Sequence, residues 1–140
     1  RVLPDFMRNV LKGEDIVLLS DGSPTRTFCY VADAVCGYYK ALIRGRSGEP
    51  YNIGTEKPEV SMRDLANMVV ALGNRYLNYN GRVRLGVADE IDYLTDNPDR
   101  RCPVIQKARS ELGYNPGIAL EEGLYRILSW YTHNPVAEEA

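Results

Sequence analysis

The sequence predicts an α/β fold in which a small mixed sheet is combined with several helices. Short apolar runs and segments with helical periodicity follow one another along the chain, and turn residues separate them. The length of 140 residues suits one compact domain. Hydrophobic residues make up 44% of the sequence and charged residues 26%, which is typical of a globular protein and excludes wholesale disorder.

The chain opens with a predicted helix and a predicted buried strand. Apolar residues at helical spacing predict the helix over 4–12, with Pro4 in its first turn and Gly13 as its C-cap. The continuous apolar run 16–19 is short enough for a buried strand. An Asp-Gly turn at 21–22 ends that strand.

A second strand, a second helix and a third strand follow. Residues 25–30 read as the second strand, with Arg26 on the same face as Phe28 and Tyr30. The helix spans 32–44 and ends before a glycine, and 51–54 is the candidate for the third strand.

The next segment predicts a helix with a recognisable start and then another strand. Ser61 with Asp64 three residues later resembles a capping box, so a helix begins there and runs to Gly73. Alternating apolar residues over 83–87 predict the strand.

The last part of the chain predicts two helices behind a long loop. A polar stretch over 88–103 without periodicity is expected to form a lid, and Arg100 and Arg101 near its end are the first place to look for ligand contacts. A short helix runs from Pro103 to Gly113 with its apolar residues inward at Ile105, Ala108 and Leu112. The final helix has one apolar stripe: Leu120, Leu124, Ile127, Leu128 and Tyr131.

Charge and hydropathy exclude several function classes. Seventeen basic and 19 acidic residues give a net charge of −2, so nucleic-acid binding through phosphate neutralisation is not expected. No apolar run approaches the roughly 18–20 residues of a membrane helix. Three cysteines without C-x-x-C spacing argue against a disulfide scaffold and a structural zinc site, and they favour a reducing, cytoplasmic location.

Residues for a complete active site are missing from the sequence. The single histidine, His133, is placed to favour a helix C-terminus, which leaves no candidate for triad chemistry. No glycine pattern fits a dinucleotide-binding loop, and no tyrosine has a lysine four residues later. We therefore predict no catalytic, cofactor-binding or metal-binding residues in this chain.

Two arginines are the strongest binding candidates. Arg26 follows a D-G-S-P-T turn, and Arg101 precedes Pro103. Guanidinium groups bind phosphate through paired hydrogen bonds and keep their charge when partly buried, so two of them from distant positions can clamp a diphosphate. An ordinary surface or ion-pair role remains the alternative for each.

Six runs occur in an order that is hard to produce by chance: R-V-L-P-D-F (1–6), G-E-D-I-V-L-L-S-D-G-S-P-T-R-T-F-C-Y-V-A-D-A-V (13–35), G-E-P-Y-N-I-G (48–54), S-M-R-D-L-A (61–66), D-N-P-D-R-R-C-P-V-I-Q-K-A-R-S-E-L-G-Y-N-P (96–116) and L-E-E-G-L (120–124). Together they resemble the C-terminal half of the NAD-dependent epimerase/dehydratase family, extended short-chain dehydrogenases that act on nucleotide sugars. The spacing D-x-P-x-x-R-x-P-x-I-x-K-A is most similar to that of the UDP-glucuronate decarboxylases.

The resemblance implies roles for seven residues of a nucleotide-sugar site. Arg26 and Arg101 match the two family arginines that contact the nucleotide diphosphate from opposite sides, and Arg1 falls where a basic residue often approaches the nucleotide. Three residues match the strand beside the base, where Leu19 replaces the family's stacking tyrosine; they are Val17, Leu18 and Leu19. Arg100 is included as the neighbour of Arg101.

The resemblance also implies a division of the protein. Residues 1–131 form the nucleotide-sugar-binding C-terminal region of a Rossmann-type enzyme without its dinucleotide-binding domain, and 132–140 form a polar tail. The strand and helix over 32–54 would pack on the missing domain. NAD, the catalytic tyrosine–lysine pair and the helices of the family's homodimer all belong to that domain, so we expect a truncated chain that is inactive alone.

The leading functional hypothesis is the diphosphate-binding part of an NAD-dependent nucleotide-sugar decarboxylase, epimerase or dehydratase. Asp33 is expected to organise the start of its helix and not to touch the sugar. Two alternatives stay open, a nucleotide-sugar binding module without catalysis and a scaffold or interaction domain. Neither nucleic acid nor a membrane is expected as a partner.

Overall fold

A computed structural model describes residues 2–86 and 98–134, and it confirms the α/β class. The helices are α1 (Val2–Lys12), α2 (Val31–Arg44), α3 (Met62–Leu77), a π-helical segment α4 (Ala108–Leu112) and α5 (Leu120–His133). The strands are β1 (Ile16–Leu18), β2 (Thr25–Thr27), β3 (Glu59–Ser61), β4 (Val83–Leu85) and β5 (Arg100–Arg101).

The described elements form two compact units, each with its own small sheet in place of the one mixed sheet expected. The first unit contains α1, β1, α3, β4 and α5, and its sheet is the parallel pair β1–β4. The second contains β2, α2, β3, β5 and α4, and its sheet has the strand order β3–β2–β5 with β2 and β5 parallel.

The first unit is built on the apolar faces of α1 and α3. Phe6, Met7 and Val10 of α1 are buried, as are Leu65 and Val69 of α3. Burying such side chains contributes roughly 1.5–3 kcal/mol each. Leu124 and Leu128 of α5 are also buried in this unit, in agreement with the predicted stripe.

The start of α3 has Ser61 as its N-cap, at the predicted position. The Ser61 hydroxyl accepts a hydrogen bond from the Asp64 backbone N–H at 3.0 Å and donates to the Asp64 carboxylate at 2.7 Å. The predicted end at Gly73 is wrong, because the helix continues to Leu77 and ends at Asn78 with φ 52°. Gly73 is there for packing, since a Cβ at this position would lie 2.8 Å from Val10 Cγ1.

The second unit packs α2 against α4. Its buried centre contains the three residues predicted to point inward, together with Tyr114; the full set is Ile105, Ala108, Leu112 and Tyr114. Tyr51 and Ile53 pack on this centre from the preceding loop. A glycine of α2, Gly37, allows the helix to approach Ile53 and Tyr114 closely.

Three predicted elements of the second unit differ from the structure. The expected strand 51–54 is a loop, since no strand among the described residues pairs with it and Asn52 instead donates its side-chain N–H to Val104 O at 3.0 Å. The strand at 25–30 stops at Thr27, because Tyr30 already caps α2. Helical structure begins after Ile105 and not at Pro103.

The predicted lid over 88–103 falls largely outside the described residues, as does the end of the strand predicted over 83–87. Its last part is not a loop, because Arg100 and Arg101 form β5. Within the described ranges, no helix is both long enough and apolar enough to cross a bilayer.

Candidate functional site

The two candidate diphosphate ligands lie side by side in the second unit. Arg26 of β2 and Arg101 of β5 are register partners in a parallel strand pair, and Thr25 and Arg100 are the partners one residue earlier. Register partners project from the same face of a sheet, whereas successive residues along a strand project from opposite faces. Arg26 and Arg101 therefore share one face, and Thr25 and Arg100 share the other.

The Arg26–Arg101 pair concentrates two positive charges on one face. Like charges directly opposite each other on neighbouring strands are destabilising unless something compensates them. The Arg26 Nη1 donates to the backbone oxygen of Thr25 at 2.7 Å, which fixes the direction of that guanidinium. Arg101 is exposed. A bound dianion would relieve the repulsion through paired N–H···O contacts.

On the opposite face, Arg100 is committed to a carboxylate. Its Nε and Nη2 donate to the two Glu59 oxygens, each at 2.8 Å, in a bidentate ion pair. Glu59 Oε1 also accepts the Thr25 hydroxyl at 2.6 Å. We call Thr25, Glu59 and Arg100 the Glu59 bridge, because Glu59 on β3 reaches across β2 to β5.

The Glu59 bridge favours the charged forms of its two ionisable members. The Arg100 guanidinium, with a smaller contribution from the Thr25 hydroxyl, holds the pKa of Glu59 below its usual range. The Glu59 carboxylate in turn raises the pKa of Arg100. This arrangement was missed from the sequence, where Glu59 stands in an unstructured-looking T-E-K-P-E segment and no periodic signal points to it.

The residues expected beside the base belong to the first unit. Leu18 is buried in β1, so only its backbone is available to a ligand, and that backbone oxygen accepts the Gly86 N–H at 2.8 Å. Val17 and Leu19 are turned outward, and Leu19 is 43% exposed. Arg1, expected near the nucleotide, lies outside the described residues.

Asp33 was expected to organise the start of its helix, and in the structure its carboxylate instead binds the backbone of a distant loop. Its Oδ2 accepts the backbone N–H groups of Gly117 (3.1 Å) and Ile118 (2.9 Å), so it fastens the loop after α4 to the first turn of α2. The carboxylate is therefore occupied by protein donors.

The described residues were compared with the two kinds of site that bind a metal ion or NAD, a cluster of ligand side chains and a glycine-rich phosphate loop. Across 2–86 and 98–134, no cluster of three or more His, Cys, Asp or Glu side chains could hold a metal ion. Glycines with positive φ stand singly at turns and do not form a strand-to-helix phosphate loop. His133 Nδ1 lies 2.7 Å from the Ser129 carbonyl oxygen of its own helix. Within the described ranges, the glycines therefore do not supply a phosphate loop for NAD.

The first part of the chain matches a family model. The model is described as the NAD dependent epimerase/dehydratase family, and the match covers residues 1–54.

Individual relatives extend the similarity over most of the chain. UDP-glucuronic acid decarboxylase 3 of Arabidopsis thaliana is 35% identical over 89% of this chain and 33% of its own length. A dTDP-glucose 4,6-dehydratase of Xanthomonas campestris is 28% identical over 96% of this chain and 38% of its own length. The chain thus spans about a third of the length of the curated relatives it matches.

The fold is likewise found within larger solved structures. DesIV, a dTDP-glucose 4,6-dehydratase from Streptomyces venezuelae determined with NAD bound, superimposes with a TM-score of 0.84 at 27% identity. That similarity covers 99% of this chain and 40% of the other.

Proposed function

We propose that this chain, whose residues 1–54 match the model of the NAD dependent epimerase/dehydratase family, binds the diphosphate of a nucleotide sugar through Arg26 and Arg101. The observation that carries the proposal is their register pairing on β2 and β5. Each guanidinium group carries paired N–H donors in one plane, which suit phosphate oxygens better than an ammonium group does.

The contribution of this site to catalysis is binding energy and orientation. A diphosphate held at two points fixes the sugar attached to it, and binding energy from such a remote group can be used to position the reacting centre. In the whole protein, NAD would supply the redox chemistry when bound.

Among the reactions of the family, we propose UDP-glucuronate decarboxylation. The relative with 35% identity is a UDP-glucuronic acid decarboxylase, and the chain has the spacing D-x-P-x-x-R-x-P-x-I-x-K-A at 96–108. The sugar-nucleotide dehydratases of Xanthomonas campestris and Mus musculus are 28% and 31% identical. The nucleotide base would then be uracil.

A second part of the proposal concerns how the segment 32–54 is covered. The outer side of α2 carries large apolar side chains that are exposed, with Leu42 at 80% and Ile43 at 77%; others are Val31, Val35, Tyr38 and Tyr39. Contiguous exposed apolar surface of this kind marks an interface. We propose that α2 packs on the dinucleotide-binding part of the whole protein, and that a homodimer forms through that part.

The site's surroundings suit a reducing compartment. Cys29, Cys36 and Cys102 are all unpaired thiols. We therefore propose a cytoplasmic location.

The experiment that tests the proposal is calorimetric titration of this chain with UDP, UDP-glucuronate and dTDP. We expect UDP and UDP-glucuronate to bind more tightly than dTDP. The double variant Arg26→Ala/Arg101→Ala should abolish the heat of binding while the circular dichroism spectrum stays unchanged. Absence of binding by the folded wild-type chain would overturn the assignment of the diphosphate site. Preference for dTDP would overturn the choice of decarboxylase.

A further inference from the structure

The spacing between Arg26 and Arg101 needs a physical cause. β5 has only two residues, and a strand that short contributes few ladder hydrogen bonds to hold it against β2. The same pairing brings two arginines, Arg26 and Arg101, to neighbouring positions. Another interaction must therefore keep β5 in register.

The Glu59 bridge is placed to supply that interaction. Thr25 and Arg100 are the register partners immediately before Arg26 and Arg101. A single carboxylate contacts both of them, at 2.6 Å to the Thr25 hydroxyl and 2.8 Å to each Arg100 nitrogen. Bidentate arginine–carboxylate pairs fix orientation as well as distance, so the bridge determines where β5 lies along β2.

The alternation of side chains separates the bridge from the ligand. Arg100 projects from the face opposite to Arg26 and Arg101, and both of its bonded nitrogens are occupied by Glu59. The side chain of Glu59 is the less exposed of the two, at 26% against 65% for Arg100. In this arrangement Arg100 does not contact a bound diphosphate, and it affects diphosphate binding only by fixing the position of β5.

A cavity lies beside the Glu59 bridge, but its acidic side chains are already bonded to protein groups. A volume of about 790 Å³ lies between the 55–59 loop and the 116–119 loop, with Glu59 and Arg100 at its wall. The other acidic residue in the wall, Glu56, accepts the Ile105 N–H at 3.1 Å and pairs with Arg109 at 3.0 Å. The carboxylates of this cavity are thus engaged with the protein.

We infer that Glu59 and Arg100 are positioning residues for the diphosphate site: the ion pair between them holds β5 in register with β2 and so sets the separation of Arg26 and Arg101. The inference rests on the proposed function and refines it, because it assigns Arg100 to alignment and removes it from direct contact with the nucleotide.

The test compares UDP binding, by calorimetry, in wild type, Glu59→Ala, Arg100→Ala and the exchanged pair Glu59→Arg/Arg100→Glu. Each single variant should weaken UDP binding about fivefold, the upper range for an exposed ion pair. The exchanged pair restores the bridge with its charges reversed, so binding should return to within about twofold of wild type. Uridine, which has no phosphate, should bind all four proteins equally.

A matched control comes from another exposed ion pair of the same unit. Lys107 Nζ contacts Glu49 Oε2 at 2.6 Å, and Glu49→Gln removes that pair without touching β2 or β5. This variant should bind UDP like wild type. Thermal melting of every variant separates a change in register from a loss of folded protein.

Two results would overturn the inference. If the exchanged pair binds UDP more weakly than either single variant, the Arg100 charge contacts the diphosphate directly, because a glutamate there repels it. If both single variants bind like wild type, the bridge does not align the site. Failure of the proposed function is distinguished by the wild-type titration, since a wild-type chain without affinity for UDP refutes the diphosphate site itself.

Discussion

Arg26 of β2 and Arg101 of β5 are register partners on adjacent parallel strands, so two guanidinium groups share one face of a three-stranded sheet. The pairing brings two like charges to neighbouring positions, and it is the geometry that we propose for binding a diphosphate. Each aspect leads to a separate prediction.

The pairing of two like charges predicts that removing one of them does not lower the stability of the protein without ligand. Arg101→Gln should leave the free energy of unfolding unchanged or raise it by up to about 0.5 kcal/mol, because it removes a like-charge pair. Urea denaturation at low ionic strength measures this. A loss of more than about 1 kcal/mol would show that Arg101 stabilises the fold through another contact.

The binding geometry predicts that charge alone is insufficient. Arg26→Lys and Arg101→Lys keep the charge but lose the planar pair of donors, so each should weaken UDP binding about tenfold. Calorimetry measures the change. Arg46→Lys is the matched control, because Arg46 pairs with Glu111 and has no place in the site. If all three variants bind UDP with equal affinity, Arg26 and Arg101 act only as a nonspecific positive patch.

Glu111 provides a prediction about pH. The hydroxyl of Tyr51 donates to Glu111 Oε2 at 2.7 Å, and this bond, with Arg46, lowers the pKa of Glu111 from its usual 4.5. Tyr51→Phe should therefore raise the carboxyl titration midpoint seen by carbon-13 NMR. Glu49 is an internal control, because its pKa is lowered mainly by Lys107.

The same shift determines how stability depends on pH. Since the pKa of Glu111 is lower in the folded than in the unfolded chain, its contribution is complete above about pH 5 and is lost as the pH falls through the folded pKa. The drop in urea midpoint on acidification should accordingly be smaller in Tyr51→Phe. An equal drop in both proteins would contradict the role of this hydrogen bond.

At Gly37, helix propensity gives the wrong sign for the effect of an alanine substitution on stability. Alanine is favoured over glycine within a helix by about 1 kcal/mol. However, a Cβ at Gly37 would lie 2.9 Å from Tyr114 Cε2 and closer still to Ile53. Gly37→Ala should lower the free energy of unfolding by about 1–2 kcal/mol, the usual cost of overpacking. Gly117→Ala, with no atom within 4 Å, is the control and should change stability little.

The exposed side of α2 predicts concentration-dependent association of this chain. Leu42→Lys/Ile43→Lys should reduce association in sedimentation velocity, because it places charge on apolar surface. Both side chains are largely exposed, so the free energy of unfolding should stay within about 0.5 kcal/mol of wild type. If the variant associates as strongly as wild type, the chains associate through a surface other than α2.

Local rules predicted the elements whose signals are complete within a few residues. The capping box at Ser61 and Asp64 specified the start of α3, and the inward spacing of Ile105, Ala108 and Leu112 specified the centre of the second unit. By contrast, Gly73 was read as a helix end, because its real constraint is a distant partner, Val10. Sequence spacing does not show such contacts.

The site divides in the same way. The sequence and its resemblance to the family singled out Arg26 and Arg101, and the structure places them in register, while their contact with a diphosphate stays a prediction. The pairing of Arg100 with Glu59 could not be predicted, because it joins residues 41 positions apart through a strand too short to leave a periodic pattern. Strand register is a tertiary property.

The Glu59 bridge has a consequence for the order of folding. Its carboxylate joins a residue 34 positions before it to one 41 positions after it, so two long loops must close before the bridge exists. Closure of loops this long carries an entropic cost that local helices do not have to overcome. We therefore expect β2–β5 pairing to be a late folding event, with the amide hydrogens of α3 protected from exchange earlier than those of β5.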